Sequence, residues 1–176
     1  MGPGLVRKIQ AFLVSPETAF RGVKDEPASP AMVHFGLLFL FYLVLSYITF
    51  ALGTLSLDIG PPEDLPVLFI PHIMLRALPL IILPIYLGLL HGWVYELGGR
   101  RGFSQTVKSV LYGLTPLLLL GYISILFLIA GIWSLALITL GLKELQGLSL
   151  GKAVAATALP SILLVLVLFL LFLSAL

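Results

Sequence analysis

The chain has 176 residues, 60% of them hydrophobic and only 10% charged, with a formal net charge of +2 and no cysteine. Soluble domains average about a quarter charged residues, so this much apolar surface excludes an ordinary water-soluble fold. The absence of cysteine excludes disulfides, thiolate metal sites and cysteine nucleophiles.

Residues 1–29 hold no uninterrupted apolar core followed by a small-residue cleavage site, so the first span is expected to act as its own insertion signal. Within this segment "GLVRKIQAFL" places Leu5, Ile9, Phe12 and Leu13 on one helical face, with Arg7, Lys8 and Gln10 elsewhere. Ser15 is placed to cap a second short helix, Pro16 suits its first position, and Glu17 suits the positive end of its dipole. Phe20 and Val23 then face one way, leaving Arg21, Lys24, Asp25 and Glu26 exposed. Helices of this kind, too short to span, lie in the membrane interface. Two roles remain open for the segment: an anchor that orients the first span, or a docking element for a cytoplasmic partner. On either, Pro16, Glu17, Phe20 and Lys24 are the expected lipid or partner contacts. On the first, Phe20→Asp weakens docking to the interface without disturbing insertion.

Residues 30–176 read as a transmembrane domain. A crossing needs about 20 apolar residues, and hydropathy gives spans at about 31–52, 72–97, 106–123, 126–142 and 153–176. The first is entered through Ser29 and Pro30, a cap followed by proline at the first helical position. The stretch 109–142 is free of charge, and as one helix it would extend about 51 Å. That is too long for one crossing, so a hairpin turning within "GYISILFLIAG" is expected. Charge placement agrees. With five spans and a cytoplasmic N-terminus, Arg7, Lys8, Arg21, Lys24, Arg100, Arg101, Lys108, Lys143 and Lys152 all fall inside, whereas the first outer loop carries Asp58, Glu63 and Asp64. The expected fold is therefore an all-α integral membrane protein with five transmembrane helices, N-terminus in, C-terminus out.

The chemical inventory is thin. No Asp, Glu or Lys lies deep within a span, which disfavours a proton-coupled pump or transporter. Arg76 is the one awkward charge; with His72 one turn away on the same face, it suits an outer anion or lipid-phosphate contact, the outer-loop acids being alternative partners. His91 and Glu96 do not have the i,i+3 or i,i+4 spacing of a helical metal pair, so no metal or cofactor is expected. Glu96 and Arg100 have ion-pair spacing, although Gly98 and Gly99 are expected to end the helix first. Gly88 and Gly92 form a G-x-x-x-G, a packing motif read as intramolecular contact or, alternatively, a dimer face. Tyr112 and Pro116 are expected at a packed, kinked part of span three, with Thr115 satisfying a carbonyl freed by the proline.

Three segments carry a resemblance. "FLVSPETAFRGVKDEP" before the first span, "LGGRRGFSQTVKSVLYGLTPLLLLGYI" from span two into span three, and "IWSLALITLGLKELQGLSLGKAVAATALP" across span four into span five occur in the order found in Yip-domain proteins, the Ypt/Rab-interacting family. The chain resembles the compact, prokaryotic-type members. The resemblance implies a five-helix membrane fold and, among eukaryotic relatives, a trafficking role with small prenylated GTPases.

Three classes of function remain. The first is a non-enzymatic membrane organiser whose cytoplasmic face, including Arg100 and Arg101, recruits partners or anionic lipid. The second is a small channel or carrier for a neutral or anionic solute. The third is an intramembrane lipid enzyme built around His91 and Glu96. The first is preferred, with membrane lipids, a cytoplasmic protein and a second copy of the chain as candidate partners and no nucleic acid among them. In a prokaryote the location would be the plasma membrane.

Overall fold

The computed structural model describes residues 4–56 and 65–174, and in that part the secondary structure is entirely helical. Two short helices, α1 (Leu5–Val14) and α2 (Pro16–Gly22), precede the long α3 (Ser29–Ser56). Asp58, Glu63 and Asp64, the acids expected in the outer loop, lie outside the described residues. The chain returns through α4 (Leu65–Ala77) and α5 (Pro79–Glu96), runs out again through α6 (Phe103–Gly113) and α7 (Thr115–Leu120), and completes the bundle with α8 (Ser124–Gln146) and α9 (Leu150–Ser174).

Four described helical stretches are long and apolar enough to cross a membrane: Ser29–Gly53, Phe69–Glu96, Ser124–Gln146 and Leu150–Val167. They match four of the five expected spans to within a few residues, and the helix of the last, α9, runs on to Ser174. The stretch expected as span three is different in kind. It starts at Phe103, breaks at Leu114, and forms two helices that are each too short to cross alone. The chain then turns at 121–123, inside the expected segment.

Proline and glycine explain the breaks. Pro79 follows the turn at Leu78 between α4 and α5, and Pro116 follows that at Leu114. A proline cannot donate to the carbonyl four residues back, which for Pro116 is that of Tyr112. The Thr115 hydroxyl donates to that carbonyl instead, at 2.6 Å. At the end of α5, Gly98 takes φ +101°, and the Gly99 and Gly98 amides donate back to Val94 and Tyr95. This is a Schellman stop, which favours glycine because of its left-handed residue. At α2 the expected proline sits in the first turn, but the Ser15 hydroxyl makes no capping bond. At α3 the first helical amides bond to the carbonyl of Ala28, one residue before the expected cap.

Helix α8 is the hub, packed by α2, α6, α7 and α9, while α3 packs on α4, α6 and α7, and α5 on α6 and α9. Two glycines set the closest approach. A Cβ on Gly113 would lie 2.5 Å from Ile138 Cγ1 and 2.9 Å from its backbone nitrogen, and one on Gly141 would lie 2.9 Å from Ser109 Cβ and from the Phe20 ring. Outward positions are large and apolar, such as Leu128 at 72% and Ile132 at 71% exposed. Only a hydrocarbon solvent makes such a surface comfortable.

Candidate functional site

One end of the bundle gathers the N-terminal helices, the α5–α6 loop and the C-terminus of α8. It is built around a lysine. Lys108, on the second turn of α6, is 1% exposed, and its ammonium donates to the carbonyls of Val23 (2.8 Å), Lys24 (2.8 Å) and Glu26 (2.7 Å). An ammonium has three donors, and here all three are used. The acceptors belong to the turn after α2, so the lysine grips the chain between α2 and α3. Lysine is almost never buried without such partners. The sequence places Lys108 among the inside charges; the structure makes it a latch.

Beneath the latch lies an aromatic cluster. Phe12 of α1 stacks on Tyr112 at 4.3 Å between ring centroids and meets Phe20 of α2 edge-on at 5.0 Å. Both phenylalanines are fully enclosed, in one core with Leu90, Val94, Leu142 and Leu145. Phe20, expected at a lipid or partner contact, therefore faces the bundle. The apolar stripe of α1–α2 is satisfied by protein because Gly141 leaves room for the Phe20 ring beside α8. Tyr112 also receives the edge of His34. Since Thr115 donates to Tyr112, it accepts from Nε2 of His34 at 3.0 Å, and among the described residues His34 Nδ1 is buried without a partner.

Ion pairs close the rim. Lys8 donates to Glu26 at 3.1 Å and to the Tyr112 hydroxyl at 3.3 Å. Burial pulls the Lys8 ammonium down, but these bonds outweigh it and its pKa lies above the ordinary 10.5. Arg21 holds Glu144 at 2.7 Å, and Lys143 holds Glu17 at the same distance. The loop after α5 is fixed by Gln146, whose amide nitrogen donates to Gly102 and Thr106 and whose oxygen accepts from the Arg101 amide. His91 Nδ1 pairs with Thr106 at 2.9 Å, which ties α5 to the same network. Arg100 does not pair with Glu96. It lies over the Tyr95 ring, 3.5 Å from the centroid, and donates to the Tyr95 carbonyl.

Of the expected contact residues, Glu17, Arg100 and Arg101 thus come together at this end with Pro16 and Lys24, while Phe20 lies inside it. Sequence reasoning missed Lys108, Gln146 and Gly141. Among the described residues Gly88 and Gly92 are not at an internal contact: a Cβ at either would have nothing within 4 Å. The motif faces away from the bundle.

The other expected pair, His72 and Arg76, lies toward the opposite end. Arg76 donates to the Tyr42 hydroxyl at 2.9 Å, and His72 pairs with Ser46 at 3.3 Å. Tyr42 also lines a cavity of about 380 Å³ between α3, α5, α7, α8 and α9, with walls almost wholly of carbon. Among the described residues, no three histidine, aspartate or glutamate side chains converge as metal ligands would.

An apolar helical bundle with a folded N-terminal cap defines a polytopic integral membrane protein. The model of the Yip1 domain matches residues 10–172, and the chain belongs to that family. No curated protein and no solved structure matches it.

Proposed function

We propose that this protein is a non-enzymatic membrane organiser whose charged end faces the cytoplasm and recruits a cytoplasmic protein, in a trafficking-like role. Membership of the Yip1-domain family makes a small GTPase the first partner to test. The orientation and a topology of five passes rest on the basic residues gathered at that end, the arrangement that positive-inside sorting favours.

The observation that carries this reading is the packing of the N-terminal cap against the bundle. Lys108 and the buried Phe12 and Phe20 hold α1 and α2 against the bundle, so Glu17, Arg21 and Lys24 are presented in fixed positions beside the Arg100–Arg101 loop. A preorganised surface loses little entropy on binding. A loose interfacial anchor would have no need of one. The carrier reading wants a wet path, and the apolar lining of the cavity weighs against it. The enzyme reading wants a free His91 acting with Glu96, but His91 is engaged by Thr106.

Photo-crosslinking from position 18, on the exposed side of α2, tests the proposal in native membranes. A recurrent guanine-nucleotide-binding adduct that disappears in Arg21→Glu supports it. Adducts with lipid alone would overturn it.

A further inference from the structure

The cavity and the Arg76 cluster are two halves of one arrangement. Tyr42 and Ser46 are one turn apart on α3, His72 and Arg76 one turn apart on α4, and the two pairs face each other through hydrogen bonds. Tyr42 and Pro79 both line the cavity, and Pro79 lies one turn beyond Arg76. The guanidinium therefore adjoins the cavity through Tyr42 and is not itself part of its lining. Among the described residues it has no carboxylate partner, since the ion pairs there all involve other cations. Of its five N–H donors, the bond to Tyr42 uses one.

We propose that this is a binding site for one phosphate-headed glycerolipid, with its phosphate on Arg76 and an acyl chain in the cavity. Both ends of such a lipid find their complement. The guanidinium fork matches phosphate oxygens two at a time, and the Tyr42 hydroxyl, which accepts from Arg76, keeps its own proton to donate. The cavity wall at Phe39, Leu118 and Ile138 offers an acyl chain dispersion contacts and asks for no hydrogen bond. Its volume falls in the range of about 300–1,000 Å³ typical of small-molecule sites. An intramembrane arginine is expected to face a cavity or a counter-ion, and the lipid supplies the counter-ion here.

The test uses the full-length protein in phosphatidylcholine nanodiscs doped with a trace of photoreactive lipid. One probe is phosphatidylglycerol with a diazirine near the end of an acyl chain; the other is diacylglycerol with the same chain and no phosphate. Adducts on Leu118 and Ser134 report the cavity, and adducts on the outward Leu128 and Ile132 report bulk lipid. The phosphatidylglycerol probe is expected to label the cavity about tenfold more than diacylglycerol does, relative to the outward positions. Arg76→Gln should erase that preference. Gly131→Leu should lower cavity labelling by both probes, because Gly131 lines the cavity and a Cβ there meets nothing within 4 Å. Equal cavity labelling by the two probes in the wild-type protein would overturn the proposal, as would labelling of outward positions alone. Both of these outcomes are read on the wild-type protein, so neither depends on a variant folding.

Discussion

At its N-terminal end the bundle is filled solid: Phe12, Phe20 and Tyr112 interlock with Val94, Leu142 and Leu145, and Lys108 and Gln146 satisfy the backbone around them. Toward the other end the helices leave about 380 Å³ open between Phe39, Leu83 and Leu118. The contrast follows from the solvent at each place. Near the membrane surface, α1 and α2 would expose their phenylalanines to water, so burying them is favourable. Deep in hydrocarbon, lipid solvates a leucine as well as another leucine does, and helices associate only through packing and polar contacts. Dense packing is thus expected where water competes, and open volume is tolerated where it does not.

The comparison breaks first at Phe20. Phe20→Asp should be the most damaging substitution, because losing a buried phenylalanine alone costs about 3–5 kcal/mol and the carboxylate adds an unpaired buried charge. Protease accessibility of residues 4–28 should rise sharply, in membranes and in detergent alike. Unchanged accessibility would mean that the cap is held by something other than this core. Lys108→Met comes next. It takes a donor from three carbonyls, but that of Val23 keeps the Glu26 amide and that of Lys24 keeps the Gln105 side chain, so the unmet loss, about 1–3 kcal/mol where water cannot replace it, falls on the Glu26 carbonyl. Faster amide exchange confined to α2 and the following turn is the expected result, with α8 unaffected.

These two residues also mark what the sequence could reveal. The long helices, the turn at 121–123 and the break beside Pro116 were legible because hydropathy and proline act locally. The docking of Phe20 was not, because an apolar stripe of that size fits a lipid surface and a protein groove equally well. Lys108 was hidden in a sorting pattern in which a basic residue beside a span is assumed to be solvated. The G-x-x-x-G at Gly88 and Gly92 left two readings open, and only the intramolecular one is overturned: a spacing says which residues share a face, not which way the face points. Ser109 and Gly113 have the same small-x-x-x-small spacing, and theirs is the face that meets α8.

Two leucine substitutions sharpen that last point. Gly113→Leu forces side-chain atoms into the backbone of Ile138 and should destabilise the protein by about 1–3 kcal/mol, the usual cost of overpacking. Gly88→Leu meets open space and should leave the melting temperature in detergent within error of wild type. If both lower it equally, Gly88 is packed against a second copy in solution.

The smallest loss is expected at Glu144, and its salt dependence is what makes it informative. Its carboxylate accepts from Arg21 at 2.7 Å and also lies 3.3 Å from Lys143, so α2 and α8 share one anion. Arg21 itself is largely in water, with 62% of its side chain exposed, and exposed pairs of this kind contribute little and are screened by salt. Glu144→Gln should therefore lower the melting temperature slightly at low salt. The difference should vanish near 1 M salt, where the Debye length is about 3 Å. A loss that persists at high salt would instead place Glu144 with Lys108 among the buried supports of the cap, since its side chain is only 12% exposed. The rim would then belong to the dense end of the molecule, and the ion pairs would be as structural as the aromatic cluster beneath them.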